Sequence, residues 1–374
     1  MSNAINNIRN CFGCGLCSVV CKHNVIDMLQ NEDGFFQPSV INPDKCVDCG
    51  LCAKVCSFLN KQCVSTPEHS YAAWSKDIRT RESSTSGGVS FEVAKSLLKQ
   101  GYKFCGVKYN VALARAEHYI ANNIDELELS KGSKYIQSYT KTAYSQIDKK
   151  QKYFVVGTPC QIASFRRYIE IFNCSNNFIL MDFFCHGVPS YLLWKKYLKE
   201  NTNKLGNIKS VSWRNKIKGW HNSYCITLEC DENTLYSWND HDDFFSMFLG
   251  DACLGEACFN SCKFKYNSSA ADIRIGDFWG SKYKSNDEGV CSAIAFTEKG
   301  NNVLNAADLE LNEYTFGIVA EGQLKENPQK PWYYEKCMKG LKQDDKSLSN
   351  IARLVHFHKR LYGHINHLKQ IIHL

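Results

Sequence analysis

The sequence predicts an α+β chain: a small cysteine-rich module, an α/β body on a mixed sheet, and a helix at the C-terminus. Three observations predict it. Two cysteine runs of identical spacing occupy the first 56 residues. From Tyr71 on, short apolar runs end in Gly- or Pro-containing loops and lead into helices, the grammar of βαβ units and of a parallel or mixed sheet. The last 24 residues carry Ile351, Leu354, Leu361, Ile365, Leu368 and Ile372 at three- and four-residue steps, one apolar stripe of a helix. On this pattern the chain divides into 1–64, 65–150, 151–335 and 336–374.

The module comes first. Cys11, Cys14, Cys17 and Cys21 give C-x2-C-x2-C-x3-C, and Cys46, Cys49, Cys52 and Cys56 repeat it. This is the ligand spacing of a bacterial-type ferredoxin with two 4Fe–4S clusters, in which the fourth cysteine of each run serves the other cluster. One cluster is therefore assigned to Cys11, Cys14, Cys17 and Cys56, the other to Cys46, Cys49, Cys52 and Cys21. Zinc sites use paired C-x2-C units across a longer gap, and disulfide scaffolds are small secreted domains. Lys22 and Ser57 stand where Pro usually follows the fourth cysteine. That Pro is a turn preference and not a ligand. Between the runs, Asp33-Gly34 signals a turn, and Phe35 and Phe36 are wall residues for a cluster or for the core. The polar stretch from Lys61 to Ser70, with Pro67, reads as the linker out of the module.

Composition bounds the rest. The chain has 374 residues, 44% hydrophobic, 22% charged and 13% aromatic, which suits a soluble protein of two or three domains. Twenty cysteines without a leader segment point to a reducing, cytoplasmic setting. The longest apolar run, Phe178 to Phe184, is short and broken by Asp182, so no membrane span is expected. The formal charge is +7. Two clusters of roughly −2 each would lower it to about +3, so nucleic acid is not expected as a partner.

The body is then read in order. Tyr71–Trp74 is a brief apolar run. Ser83 to Gly88 leads into a helix bearing Val89, Phe91, Val93, Ala94, Leu97 and Leu98. Strands are predicted over Tyr102–Tyr109 and Ala116–Ile120, a helix start over Asn123–Leu129, and a loop over Lys131–Ser138. Lys152–Val156 is a buried strand ending in Gly157-Thr158-Pro159-Cys160, and a helix with Ile162, Phe165 and Tyr168 follows. Phe178–Phe184 is a second, ending in Cys185-His186-Gly187-Val188-Pro189-Ser190, with a helix over Tyr191–Lys199. Lys209–Trp213, Ser223–Cys230, Asp272–Phe278 and Cys291–Phe296 read as strands and Asp243–Leu249 as a helix. The final helix holds five of the eleven histidines. His364 and His367 lack an acidic or Cys partner in a known motif and read as solvated.

In open α/β sheets ligands bind at the carboxyl edge of the strands, so the Gly157 and Cys185 loops are where chemistry is expected. The Ser83–Gly88 loop at a helix N-terminus suits a phosphate, although an ordinary capped loop explains it equally well. Cys160 and Cys185, with Cys253, Cys258 and Cys262, supply thiols for one more cluster or are buried structural thiols. Gly276-Asp277-Phe278-Trp279-Gly280 suits contact with a planar ring, or forms a tight turn with a packed Trp.

These pieces, in this order, resemble the beta subunits of coenzyme F-420 hydrogenases and dehydrogenases, flavin-containing proteins. The resemblance covers the chain to about residue 335. It rests on the ferredoxin repeat with Asp33-Gly34-Phe35 and Pro38, on Ser86-Gly87-Gly88, and on Gly132-Ser133-Lys134-Tyr135-Ile136-Gln137-Ser138. It continues through Gly157-Thr158-Pro159-Cys160-Gln161, the Cys185–Ser190 stretch and Gly276–Gly280. The resemblance implies FAD on the body, bound by Ser86, Gly87, Gly88, Ser133, Tyr135, Gln137, Gly157, Thr158, Pro159, Gln161, Gly187, Asp277 and Trp279. It also implies a third 4Fe–4S cluster on Cys160, Cys185, Cys258 and Cys262. Family members tend to show C-x2-C where this chain has Cys258-x3-Cys262, and Cys253 is the substitute ligand to consider.

The expected function is an iron–sulfur flavoprotein oxidoreductase that exchanges electrons between its clusters and FAD and reduces or oxidises an organic substrate or a deazaflavin-type coenzyme. His186 is the candidate for proton delivery and Asp277 for ring contact. Ferredoxin or another redox protein is the expected partner, beside a small-molecule substrate and a second copy of the chain. An electron-transfer subunit without its own substrate is the alternative, and a zinc-stabilised binding module a third class.

Overall fold

The structure is a computed structural model. It describes Ile5, Ile8, residues 10–61 and residues 64–372, with side chains through Leu361. His364 and His367 have side chains outside the described residues.

The module contains α1 (Leu16–Val20), a hairpin of β1 (Ile26–Gln30) and β2 (Phe36–Val40), and α2 (Leu51–Lys54). Met28 pairs with Pro38 in its antiparallel register. Each short helix starts at a glycine and carries a cysteine, Cys17 on α1 and Cys52 on α2.

The body opens with β3 (His69–Ser75), α3 (Ile78–Ser83), α4 (Val89–Lys99), β4 (Lys103–Asn110) and β5 (Arg115–Ala121). Next come α5 (Ile124–Glu128), β6 (Ser138–Tyr139), α6 (Lys141–Ser145), β7 (Tyr153–Val156), α7 (Pro159–Ile171), β8 (Phe178–Phe183) and α8 (Tyr191–Leu205). A separate antiparallel sheet holds β9 (Ile208–Arg214), β10 (Tyr224–Cys230) and β11 (Thr234–Trp238), with β10 in the middle. Then follow α9 (Asp243–Leu249), α10 (Glu256–Asn260), β12 (Ile273–Asp277), β13 (Cys291–Ala295), α11 (Glu298–Ala306), β14 (Leu309–Glu313), α12 (Phe316–Val319), α13 (Tyr334–Leu341) and α14 (Leu348–Ile372).

Nine strands form one mixed sheet in the order β14-β3-β13-β12-β8-β7-β4-β5-β6. Its centre, β12-β8-β7-β4, is parallel, and β13, β3 and β14 extend it antiparallel. Strands from both sides of residue 150 therefore share this sheet. Side chains alternate between its faces with the two-residue period of a strand. Tyr153, Val155, Phe178 and Leu180 join the core under α7, where α1 and Val55 of the module also pack. Phe154, Ile179 and Met181 face the opposite core under α4. A third core joins α8, α9 and the last two helices to the three-stranded sheet, around Trp194, Trp213 and Phe244.

The strongly apolar strands lie within a residue or two of where the sequence places them. The helix predicted to end at Lys199 runs on to Leu205, stopped by Gly206 at φ +79. The short α3 and α6 and the strands β11 and β14 were not expected. None is more than six residues long, too short for a hydrophobic period to show. Among the described residues, no helix is long and apolar enough to cross a membrane.

Candidate functional site

The module sits against the body through backbone-level pairing. Phe36 N donates to Gln137 Oε1 at 2.7 Å and Gln137 Nε2 donates to Phe36 O at 3.1 Å. Thr140 Oγ1 donates to the Cys14 carbonyl at 3.0 Å, and Ser190 Oγ donates to the Asp33 carbonyl at 2.5 Å. The cysteine loop approaches so closely that side chains are excluded at two points. Gly13 and Gly15 have φ of +64 and +84. A Cβ on Gly13 would meet Gln137 and the Phe36 carbonyl, and one on Gly15 would meet the Thr140 hydroxyl.

The eight cysteines of the two runs are not paired in disulfides. Their electrostatic couplings link Cys11, Cys14, Cys17 and Cys56 with one another and Cys52 with Cys21 and Cys49, while Cys17 also feels Cys52. Burial pushes Cys11 up to about 12 and Cys14 up to about 11, and in each the charge of Cys56 adds to the rise. Cys17 is raised by burial, then by Cys14, Cys11 and Cys56. Cys52 is raised by burial, with Cys21 and Cys49 as its thiol neighbours. The first set is enclosed, whereas Cys49 of the second is exposed. Thiols this buried stay protonated alone, and a cationic iron core would release their protons on binding. Among the described residues, no three His, Cys, Asp or Glu side chains converge on a single-ion site.

A further four thiols surround a cavity of about 60 Å³ beside the first set: Cys160 in the first turn of α7, Cys185 after β8, and Cys258 and Cys262 on and just after α10. Burial raises Cys160, and Cys185, Cys262 and Cys14 raise it further. Cys258 is pushed up to about 12 by burial and then by Cys185. Cys253 is not among them. Its thiol is fully buried in another core, with Cys337 and Asp251 as its charged neighbours. The expectation of Cys253 as a substitute ligand is corrected: Cys253 ends the turn over residues 251–253, and the bridged Leu254 and extended Gly255 carry the chain on to α10 and the small cavity.

A second cavity, of about 490 Å³, opens along the carboxyl ends of β7, β8 and β12, as expected for a parallel sheet. At one end lies the N-terminus of α4, with Ser86, Gly88 and Ser90. Ser133 N and Oγ both donate to Thr85 Oγ1, at 3.0 and 3.2 Å, so the 131–138 loop is tied to this helix start. Lys134 donates to the carbonyls of Ser130 and Lys131, both at 2.8 Å, and burial lowers it to about 7. The hydroxyls and the start of α4 together suit an anion at this end.

The floor is Gly157, Thr158 and Gln161, held by a capping box at the start of α7. Behind it His118 Nε2 meets the Val156 carbonyl at 3.1 Å. The other end is aromatic. Tyr135 stacks on Tyr224, Tyr224 on Trp279 and Trp279 on Trp220, with centroids 5.9, 6.1 and 5.7 Å apart. Arg214 lies over the Tyr224 ring at 4.0 Å and donates to Tyr135 Oη at 3.0 Å. His186 Nε2 lies 2.8 Å from Asp251 Oδ1, too skewed for a well-aligned hydrogen bond.

Ser86, Gly88, Ser133, Tyr135, Gly157, Thr158, Gln161, His186, Gly187, Asp277 and Trp279 all line this cavity. Three expected residues do not. Gly87 lies beneath the loop, donating its N–H to Cys291 Sγ at 3.2 Å, with the Ala73 backbone against its Cα. Gln137 is the clamp on Phe36, and with Pro159 it lines the small cavity instead. Asp277 also needs correction as a free ring-contacting acid. Its Oδ2 accepts from Arg214 at 3.2 Å and its Oδ1 from Trp220 Nε1 at 2.9 Å, so both oxygens hold the aromatic wall. Arg214, Tyr224, Thr85 and Lys265 were not singled out. Thr85 sits inside the Ser83–Gly88 loop read above, and Lys265 lies three residues past Cys262. Arg214 and Tyr224 belong to strands β9 and β10, where no local motif marks them.

The comparisons with known proteins follow this division. Residues 150–315 match the family model for the C terminus of the coenzyme F420 hydrogenase/dehydrogenase beta subunit. Residues 10–59 match the 4Fe-4S dicluster domain. No curated protein matches the chain. A solved structure similar to this chain is the xenon-derivatised F420-reducing NiFe hydrogenase complex from Methanosarcina barkeri. It is 16% identical with a TM-score of 0.48, the match covering 67% of this chain and 83% of that one. Residues 150–315 thus correspond to the C-terminal domain of the coenzyme F420 hydrogenase/dehydrogenase beta subunit, and residues 10–59 to a 4Fe-4S dicluster domain.

Proposed function

We propose that this chain is an iron–sulfur flavoprotein oxidoreductase: the cysteine sets carry electrons to or from FAD in the large cavity, where an organic substrate or deazaflavin-type coenzyme reacts. One observation carries the reading. Thr158, Cys185, Gly187, Val188, Phe264 and Lys265 line both the thiol-ringed cavity and the large one, so the two sites share a wall. Iron–sulfur clusters exchange single electrons, and flavin converts these to hydride chemistry.

The residues divide the remaining work. Cys46, Cys49, Cys52 and Cys21 form the outer set, with Cys49 exposed to a redox partner such as ferredoxin. Cys11, Cys14, Cys17 and Cys56 form the enclosed set, and Cys160, Cys185, Cys258 and Cys262 a third. Cys52 neighbours Cys17, and Cys14 neighbours Cys160, so the sets stand in a row toward the large cavity. The α4 N-terminus with Ser86, Gly88 and the tied Thr85–Ser133 pair binds the pyrophosphate. Trp279 and Tyr224 hold a planar ring and exclude water. His186, whose Nε2 faces Asp251, relays a proton beside that ring.

Anaerobic purification tests the reading. Brown protein with one FAD and about twelve irons per chain is the expected result. Iron without flavin would leave an electron carrier with no substrate of its own, and a colourless zinc protein would remove the redox assignment altogether.

A further inference from the structure

We propose that Lys265 is the cation that stabilises added negative charge on both sides of the shared wall, raising the reduction potentials of the site built from Cys160, Cys185, Cys258 and Cys262 and of the flavin. This rests on the reading above.

Lys265 Nζ donates to the carbonyls of Cys185 at 2.6 Å and His186 at 2.9 Å. Both acceptors are neutral, so the ammonium is anchored and its charge is not cancelled. Other cations near the large cavity are held differently: Lys216 donates to the carbonyls of Arg81, Ser86 and Glu288 and is lowered by burial to about 8. Arg214 is paired with Asp277, and Arg274 with Asp182 at 2.7 Å. Lys134, at the far end, is lowered by burial toward the neutral amine. Lys265 is also half-buried and lines both cavities. Its field already reaches the thiols: burial pushes Cys185 and Cys258 up, and the Lys265 charge opposes that rise in both.

Reduction of either group adds negative charge while the cation stays fixed. Within a medium of low dielectric such a charge favours the reduced state. Nearby charge is one of the means by which a protein tunes a bound flavin.

The test compares Lys265→Gln, Lys265→Met and Lys265→Arg in the full chain, by iron and flavin content and by anaerobic spectroelectrochemical titration. Gln keeps a donor for the two carbonyls and removes the charge, whereas Arg keeps the charge. Loss of charge is expected to shift each one-electron equilibrium about tenfold toward the oxidised form, about 59 mV lower, for both groups and in both neutral variants. Lys265→Arg should keep the wild-type values. Unchanged potentials in the neutral variants, equal shifts in all three, or neutral variants that do not fold beside a folded Lys265→Arg would each overturn the proposal by making Lys265 a tether. Wild-type protein without flavin or without the third set of irons would instead overturn the site reading on which it stands.

Discussion

Cys14 and Ser164 join the cysteine module to the sheet: Cys14 Sγ donates to Ser164 Oγ at 3.1 Å, across 150 residues of sequence. The same hydroxyl accepts from Ser57 N at 3.1 Å and donates to Ser57 Oγ at 2.7 Å. Ser164 is fully buried on α7, which also carries Cys160 in its first turn. One side chain thus fixes the module's first and last cysteine loops against the helix that leads to the next thiol set.

Ser164→Ala is accordingly expected to cost about 1–3 kcal/mol, the penalty for leaving the buried Ser57 N–H without an acceptor. Chemical denaturation of the anaerobic protein measures it. The variant should also lose iron faster to a chelator, whereas alanine at the exposed Ser83 should behave as wild type in both assays.

Asp277→Ala should destabilise more than its partial exposure suggests. Arg214 has a side chain only 1% exposed and depends on this carboxylate. Burial disfavours its charge, and Tyr135, Asp277 and Tyr224 more than offset that, leaving the guanidinium more firmly protonated than usual. Removing one partner of a buried pair costs about 3–5 kcal/mol. Adding Arg214→Met should recover part of the loss in denaturation curves, since the orphaned cation is then gone. Equal or additive losses would show that the two residues act separately.

Which parts of this were readable in the chain follows from the range of the interactions. The C-x2-C-x2-C-x3-C runs act locally, so two crossed sets follow from spacing alone. The strands β7 and β8 are buried on both faces, which makes them continuous apolar runs. Gln137 is different. It lies in a recognisable loop sequence, yet its amide pairs with Phe36 over a separation of 101 residues, and no local pattern carries that register. Asp277 was legible as a carboxylate at a strand end. That Arg214 and Trp220 occupy both its oxygens depends on how the second sheet packs against the first. Cys253 and Cys258 look alike in sequence, and only the extended step through Leu254 and Gly255 separates a core thiol from a cavity thiol.

His118 makes stability depend on pH. Burial lowers it to about 4 from the ordinary 6.5, so the folded state holds it neutral while the unfolded chain takes up a proton below 6.5. The unfolded state then binds more protons, and stability falls as the pH drops. The contribution is complete above 6.5 and lost progressively toward 4, about 3 kcal/mol in all. Urea unfolding at several pH values across this window should show the slope, and His118→Phe should flatten it. An unchanged slope in His118→Phe would assign the acid sensitivity to other groups.

The third thiol set gives the sharpest contrast between neighbouring cysteines. Cys258-x3-Cys262 is one residue longer than C-x2-C: Cys258 lies on α10, and the chain leaves the helix at Ser261 before Cys262. Both thiols nevertheless line one cavity, together with Cys160 and Cys185. Cys258→Ser should lower iron from about twelve to about eight per chain while the module's clusters keep their spectroscopic signals. Cys253→Ser should leave the iron count unchanged, because its thiol lies in the core beside Cys337. Iron loss in the Cys253 variant with none in the Cys258 variant would exchange their roles. Equal iron in both variants and in wild type at about eight would mean that the four thiols are structural and that electrons reach the large cavity directly from the enclosed set.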